Sequence, residues 1–215
     1  HRKMDTEAER AYRQSLALWQ GNGESLNGVS QMLWERGDFD GVIEMFRAAI
    51  DKDPNNIALW RMFLIAENRK KLQGQIAERE AALIKKPDSR DDAVALLELH
   101  SSSGDEKALK AFLEKSIKDF AKDPLFLKVA ADCAEATALP VLELEAARTL
   151  VAAEPQEAEN QYRLAKAAAQ NNDKPLCLAA ARRAIELGGL PMREGLAKAE
   201  VFDHYREDLD FQELL

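Results

Sequence analysis

The chain has 215 residues, 46% of them hydrophobic, and its 38 acidic residues against 30 basic ones give a formal net charge of −8. This apolar content is enough for one or two packed domains, yet charged residues recur so evenly that no window approaches the ~18 consecutive apolar residues of a membrane-spanning helix. An acidic chain has no general attraction for phosphate backbones, so nucleic acid is not the default partner. Only 10 Gly and 7 Pro accompany abundant Ala, Leu, Glu and Lys, and this composition predicts a mostly helical protein.

Residues 4–20 carry the pattern of one helix, with an apolar stripe at Ala8, Tyr12 and Leu16. We expect this helix to be the second half of a repeat whose first helix precedes His1, because the chain does not begin with Met and enters the helical pattern at once. An export signal or membrane anchor upstream would leave no trace in these residues. The compartment is therefore left open, although two cysteines in Ala- and Leu-rich surroundings fit a reducing one such as the cytoplasm.

The stripe returns after a constant spacing of 34 residues, which separates Ala8 from Val42 and Tyr12 from Phe46. Self-similarity at such a period is the sequence signature of a repeat protein, in which each unit buries its apolar face against its neighbours. The spacing therefore predicts one elongated array of helix pairs in place of one or two compact domains.

Residues 23–56 predict one complete pair of helices. Gly37 stands where a residue with positive φ would end the first helix, and Asp38 stands where its carboxylate would cap the second. Pro54 cannot continue the second helix, so we expect the helix to end before it. Four further pairs, each ending at a proline or glycine, and a differently patterned cap follow. The pairs are predicted at 57–89, 90–124, 125–157 and 158–189, and the cap at 190–215.

These residues resemble the tetratricopeptide repeat (TPR) family. The motifs that carry the resemblance are Gly37-Asp38-Phe39-Asp40, the spacing of Val42, Phe46 and Ala49, and Asp53-Pro54-Asn55-Asn56. The end of the chain is similar to the closing segment of many bacterial TPR proteins, through Asp208, Phe211, Gln212, Leu214 and Leu215. The resemblance implies an all-α fold: a single α-solenoid over residues 1–215, in which antiparallel helix pairs form a right-handed superhelix that ends in a C-terminal capping helix.

The resemblance also implies a function, that of a non-enzymatic scaffold that binds a peptide or partner protein in the concave groove of the solenoid. Side chains that flank the packing stripe of the first helices are expected to face this groove: Asn27, Gln31, Trp34, Arg61, Ile65, Asn68, Arg69, Glu98, Tyr162 and Lys166. Trp34 could equally pack on the neighbouring first helix. The basic clamp with which some TPR domains hold acidic C-terminal tails is largely absent, since Ile65 and Glu98 stand on the corresponding faces.

No catalytic residue, cofactor or metal site is predicted. His100 falls on the stripe that packs the paired helices, which favours a core histidine over a catalytic base, and His204 has no second histidine or cysteine four residues away. No glycine-rich phosphate loop with its following Lys-Ser/Thr occurs. We interpret the paired acids Glu143 and Glu145 as part of a solvated helix face, and the basic stretch that includes Arg69 in the same way.

Two other functions stay open. The half-repeat at 4–20 fits the C-terminal docking or regulatory portion of a longer enzyme, or of a membrane-anchored or exported assembly factor. The same half-repeat would also leave the apolar stripe at Ala8, Tyr12 and Leu16 without a partner helix. This feature fits a spacer that self-associates through its N-terminal half-repeat.

Overall fold

The computed structural model describes residues 10–15 and 23–215, and all regular structure in these two ranges is helical. Residues 10–15 are helical. The later α-helices, in chain order, are α1 (Gly23–Glu35), α2 (Phe39–Lys52), α3 (Ile57–Lys85), α4 (Arg90–Ser103), α5 (Glu106–Asp119), α6 (Pro124–Ala136), α7 (Pro140–Ala153), α8 (Ala158–Gln170), α9 (Lys174–Gly188), α10 (Leu190–Lys198) and α11 (Leu209–Gln212). A 3₁₀-helix lies at Glu200–Tyr205, before α11. The predicted all-α fold of helix pairs is confirmed.

The described residues form two compact units, one ending at Ala77 and the other running from Glu78 to Leu215, and the boundary falls within α3. Each unit has its own apolar core. The first core is built mainly from the facing stripes of α1 and α2, with Val29 and Phe46 almost fully buried. The second unit holds two clusters, one over α4 to α7 and one over α8, α9 and the C-terminal segment.

In several helix pairs, the first helix ends at a residue with a left-handed backbone, as the sequence predicts for Gly37. Gly37 has a φ of +72°, and the next residue, Asp38, returns a backbone N–H to the carbonyl of Leu33 at 2.9 Å while its carboxylate caps α2. Asn172 and Ala138 take the same conformation, with φ of +57° and +55°. Alanine in this region carries a strain of about 1 kcal/mol, so the turn before α7 is held by the surrounding packing.

Residues 57–89 depart from the prediction of a helix pair, because α3 runs without interruption over 29 residues. The expected turn would fall in the middle of this stretch, where Lys, Leu and Gln are good helix formers and no proline or capping residue ends the helix. Gly74 lies inside the helix and a Cβ built there would meet nothing within 4 Å. Only Leu59 and Ala66 of α3 are buried, so its middle has no apolar face that would require a turn.

Contacts between α6 and α8 recur at one sequence separation. The guanidinium of Arg163 binds the carboxylate of Asp132, and the ammonium of Lys166 binds Glu135 at 2.8 Å; both pairs are 31 residues apart. This equals the distance between Pro124 and Pro155 in the sequence. The polar contacts on this face therefore follow the step from one helix pair to the next.

The C-terminal segment covers the apolar face of α8 and α9. Leu196, Phe202 and Phe211 are fully buried there, and the rings of the two phenylalanines stack with centroids 5.6 Å apart. The expected single capping helix is instead α10, the 3₁₀-helix and α11. Ala199 has an extended backbone (φ −73°, ψ 127°) that ends α10.

Two acidic residues of this segment also tie it to the preceding helix pair. The Lys174 ammonium at the start of α9 binds the carboxylates of Asp208 at 2.6 Å and Asp210 at 2.9 Å. The Asp208 carboxylate in addition accepts the backbone N–H groups of Asp210 and Phe211. Asp208, the first residue of the closing segment that resembles other TPR proteins, thus both caps a helix and pairs with a lysine.

The uninterrupted α3 leads to a test with two glycines. Gly74→Ala should raise the free energy of unfolding by about 0.5–1 kcal/mol, because alanine has the higher helix propensity and its Cβ has room. Gly104→Ala is the matched control: its Cβ also has room, but φ is +69°, and we expect a loss of about 1 kcal/mol. Urea unfolding followed by circular dichroism measures both. A destabilised Gly74→Ala protein would mean that a turn interrupts α3.

Candidate partner-binding sites

Four of the predicted groove residues lie together in the first unit. Asn27, Gln31 and Trp34 stand on one face of α1, at helical spacings of four and three residues, and Arg69 reaches them from α3. They line an open groove of about 450 Å³, which we call the Trp34 groove. Its walls are Asn27, Ser30, Gln31, Trp34, Glu35, Met62 and Arg69.

The Trp34 side chain is held between the core and this groove. It is half-buried and packs on the apolar cluster of the first unit, while the guanidinium carbon of Arg69 lies 4.6 Å from the centre of its ring. This is the geometry of a cation–π contact. The indole Nε1–H is buried and has no hydrogen-bond partner among the residues that the structure describes. Trp34 therefore packs on the core and also lines the groove, and its role in binding a partner stays a prediction.

The polar side chains of α1 are only partly satisfied at the groove. The Gln31 amide donates to the Glu35 carboxylate at 3.2 Å, and the Ser30 hydroxyl donates to the carbonyl of Asn27 at 3.0 Å. The exposed Asn27 side chain and the Gln31 carbonyl are thus left on the surface of the groove. The groove thus presents two amide side chains beside an aromatic ring.

The three other predicted residues of α3 lie outside this groove. Arg61, Ile65 and Asn68 are exposed and follow one another at spacings of four and three residues, so they share a helix face. Met62 and Arg69 are seven residues apart and lie on the side of α3 that meets α1. Met62 was missed in the sequence, although its spacing from Arg69 is the signal that identifies it.

The basic stretch of α3 is partly engaged within the protein. Lys70 binds the Asp40 carboxylate at 2.5 Å, and Arg79 binds Asp92 at 2.8 Å. These pairs are exposed, so each contributes little to stability. They nevertheless lower the positive charge that this helix presents to a partner.

Tyr162 and Lys166 lie in a polar pocket of the second unit, while Glu98 is exposed on α4. The pocket has a volume of about 80 Å³ and is bordered by α6, α7 and α8. We call it the Glu143 pocket. Its walls are Ala131, Asp132, Glu135, Glu143, Ala147, Glu159, Tyr162, Arg163 and Lys166.

The burial of Glu143 contradicts its interpretation as part of a solvated helix face, because the side chain is only 4% exposed. The residue precedes Ala146 and Ala147 by three and four positions, so it shares their buried face of α7. This spacing was the signal in the sequence that could have found it. Its Oε2 atom is buried without a hydrogen-bond partner among the described residues.

The surroundings of Glu143 favour its neutral form. Burial raises the pKa of the Glu143 carboxyl to about 7, and the nearby charge of Glu135 acts in the same direction. The cations of Lys166 and Arg163 oppose this shift but do not cancel it. At neutral pH the carboxyl is therefore divided between its protonated and ionised forms.

Cation pairing on the rim of the pocket is close but incomplete. Arg163 and Lys166 bind Asp132 and Glu135, as described above, whereas the Arg163 Nε atom lies 3.7 Å from the nearest oxygen of Glu159. That distance is too long for a hydrogen bond, and this nitrogen is buried without a partner in the described part of the chain. The pocket thus contains one unpaired acceptor and one unpaired donor.

The two histidines within the described ranges have structural surroundings. His100 is buried, and its ring lies 5.3 Å from that of Phe112; the burial lowers the pKa of its imidazole. His204 is exposed and its ring lies on Tyr205. In the two described ranges, no three His, Cys, Asp or Glu side chains are grouped so that they could hold a metal ion.

Only part of the N-terminal stripe is described, since Ala8 and Leu16 lie outside the described residues. Tyr12 is half-buried against α1, where a Cβ at Gly28 would stand 2.6 Å from its ring. Its ring thus needs the glycine in order to approach. Self-association through this stripe stays a prediction.

None of the described helices is both long enough and apolar enough to cross a membrane.

No protein-family model matches the chain, and no curated protein matches its sequence. Among solved structures it is similar to YrrB, described as a TPR protein with an unusual peptide-binding site, at 12% identity and a TM-score of 0.43, over 88% of this chain and 98% of YrrB. It is also similar to the C-terminal part of a TPR repeat-containing protein from Cytophaga hutchinsonii (14% identity, TM-score 0.47, 98% of this chain and 87% of the other) and to MamA (14%, 0.41, 91% and 97%).

The TPR-like fold predicted from the sequence is confirmed by the helix pairs themselves. The segments 23–56, 90–124, 125–157 and 158–189 each contain two helices joined by a short turn. The left-handed residue at Gly37 and the capping carboxylate at Asp38 lie where the sequence predicts them.

The raised pKa of Glu143 leads to a stability prediction. Between its usual pKa of 4.5 and the folded value of about 7, the folded protein binds more protons than the unfolded chain, so this carboxyl weakens folding as the pH rises. The full penalty is present above pH 7. Glu143→Gln should therefore raise the free energy of unfolding by about 1–3 kcal/mol at pH 8 and have little effect near pH 4. Urea unfolding at the two pH values measures this.

Glu145→Gln is the matched control, because it makes the same change two residues away, outside the walls of the pocket. We expect no pH-dependent gain from it. An equal gain from Glu143→Gln at both pH values would show that the carboxyl does not titrate in this window.

Proposed function

We propose that the protein is a non-enzymatic scaffold for protein–protein interaction, and that it binds a peptide segment of its partner in the Trp34 groove. The observation that carries the proposal is the Trp34 ring, which has the Arg69 guanidinium over its face and a buried indole N–H without a partner. Tryptophan and arginine are the side chains that most often dominate the energy of an interface.

The unpaired indole N–H supports a peptide as the occupant. A buried donor without an acceptor costs about 1–3 kcal/mol, and a carbonyl oxygen from an incoming main chain would offset this cost. Asn27 and Gln31 add amide groups that can pair with the same main chain. The groove thus offers hydrogen bonds that depend on the peptide backbone, with an aromatic platform beside them.

Met62 supports a contribution from apolar side chains of the peptide. It is half-buried in the wall of the groove, next to the Trp34–Arg69 contact. Methionine adapts its shape to different apolar groups and is common on surfaces that accept more than one partner. We therefore propose a peptide with an extended main chain and at least one apolar side chain.

Two arginine variants and two tryptophan variants test this proposal, with peptides selected from a random display library on the wild-type protein. Trp34→Ala should weaken their binding by about tenfold or more, and Arg69→Ala by about threefold to tenfold, since the ring and its cation are lost. Fluorescence anisotropy with labelled peptides measures the dissociation constants.

Arg61→Ala and Trp60→Ala are the controls. Arg61 is an exposed arginine of α3 outside the walls of the groove, and the Trp60 indole already donates to the carbonyl of Pro54 at 2.9 Å. Both variants should bind the peptides like the wild type. The proposal fails if Trp34→Ala leaves binding unchanged, or if the controls weaken it as much as the groove variants do.

A further inference from the structure

We propose that the Glu143 pocket binds the ammonium group at the end of a lysine side chain from a partner protein. The site lies within the second unit and does not depend on the Trp34 groove. It combines a buried acceptor, an excess of negative charge, and a space that matches the end of one side chain.

The buried acceptor is the Oε2 atom of Glu143. The side chain is 4% exposed, borders the pocket, and leaves this oxygen without a hydrogen-bond donor in the described structure. A carboxylate in such a place is costly unless a donor or a positive charge reaches it. An incoming cation with N–H groups supplies both, whereas a neutral donor supplies only the first.

The charges around Glu143 favour a cation over an anion. The walls hold four carboxylates and two cations, so the pocket has an excess of two negative charges when all are ionised and of one when Glu143 is protonated. The charged groups are Asp132 and Glu135 on α6, Glu143 on α7, and Glu159, Arg163 and Lys166 on α8. Although Asp132 and Glu135 already bind cations, a carboxylate has room for several donors.

The size and arrangement of the pocket favour an ammonium group. A volume of about 80 Å³ is less than three times the ~30 Å³ that a water molecule occupies in the liquid, so it accepts the end of one side chain. The acceptors approach from three helices. An ammonium can direct its three N–H bonds to them, whereas a planar guanidinium suits a single carboxylate better.

The remaining walls suit the methylene chain of a lysine. Ala131 and Ala147 present methyl groups, and the half-buried ring of Tyr162 stands beside them. Tyr162 is fixed by its hydroxyl, which donates to the carbonyl of Gly195 at 3.4 Å. An alkyl chain that ends in a charged group would thus find apolar walls around an acidic end, as lysine side chains do when they snorkel.

Binding of a cation should be linked to the ionisation of Glu143, because only the ionised form attracts it fully. With a midpoint of about 7, the ionised fraction rises about tenfold between pH 6 and pH 8. The affinity for a lysine side chain should rise by the same factor over this range. In turn, a bound ammonium should lower the titration midpoint of Glu143.

The test is an NMR titration of the full chain with ¹³C-labelled glutamate, in which the side-chain carboxyl carbon of Glu143 is followed. The probe is Nα-acetyl-lysine methylamide, used into the high millimolar range at constant ionic strength. We expect the probe to lower the midpoint and to bind about tenfold more tightly at pH 8 than at pH 6. Glu143→Gln should reduce the affinity by at least tenfold, while Glu145→Gln and Trp34→Ala leave it unchanged.

Two further probes separate the alternatives. Nα-acetyl-norleucine methylamide has a similar chain without the charge, and the arginine analogue carries a guanidinium. Binding of the norleucine probe as tightly as the lysine probe would overturn the ionic basis of the site, and equal binding of the arginine probe would overturn the assignment to an ammonium. The proposal would also be overturned if the Glu143→Gln protein kept both the affinity of the wild type and its pH dependence. Because Trp34 lies in the other unit, these outcomes are independent of peptide binding in the Trp34 groove.

Discussion

The close approach of helices through alanine is the constraint on which the second unit depends. Its helix pairs meet through side chains of minimal size, and the residues concerned are almost fully buried: Ala130, Ala134, Ala146, Ala165, Ala168, Ala181 and Ala184. A two-helix unit cannot bury its whole apolar surface alone, so each pair packs against the next. Small side chains let the backbones approach, and close approach fixes the register in which neighbouring pairs meet. A larger side chain at such a position would shift that register.

Fixed register explains why the polar contacts of α6 and α8 are ordered. Arg163 and Lys166 are three residues apart on one helix face, and their partners Asp132 and Glu135 are three residues apart on the facing helix. Any slip between the helices would break both pairs together. The same packing buries the Glu143 side chain, which shares the face of α7 that carries Ala146 and Ala147. The buried carboxylate is thus a consequence of the register that the alanines impose.

The sequence predicts the helices and turns wherever local chemistry and repeat spacing agree, as at Gly37, where a left-handed glycine and a capping aspartate coincide. It misleads wherever the repeat pattern is applied without such local signals. In α3 no residue stops the helix, so it continues, and at Ala138 the turn forms without the glycine that would announce it. Tertiary packing decides the turn at Ala138, because the strain there is small beside the burial of the surrounding apolar side chains. In α3, where few residues are buried, local helix propensity decides.

The candidate sites show the same division. The sequence predicts that Trp34 and Arg69 belong to a binding surface. It does not predict whether Arg61 or Arg69 reaches Trp34, because this depends on which side of α3 meets α1. Each step of one residue along a helix rotates the side chain by 100°. Glu143 was interpreted from its charge, whereas its helix spacing from Ala146 and Ala147 indicated burial.

The two sites also differ in the interaction that would hold a partner. Binding at an aromatic ring depends mainly on apolar contact, while binding of a cation in the acidic Glu143 pocket depends on charge, which salt screens. Ionic strength therefore distinguishes a partner held through Trp34 from one held through Glu143.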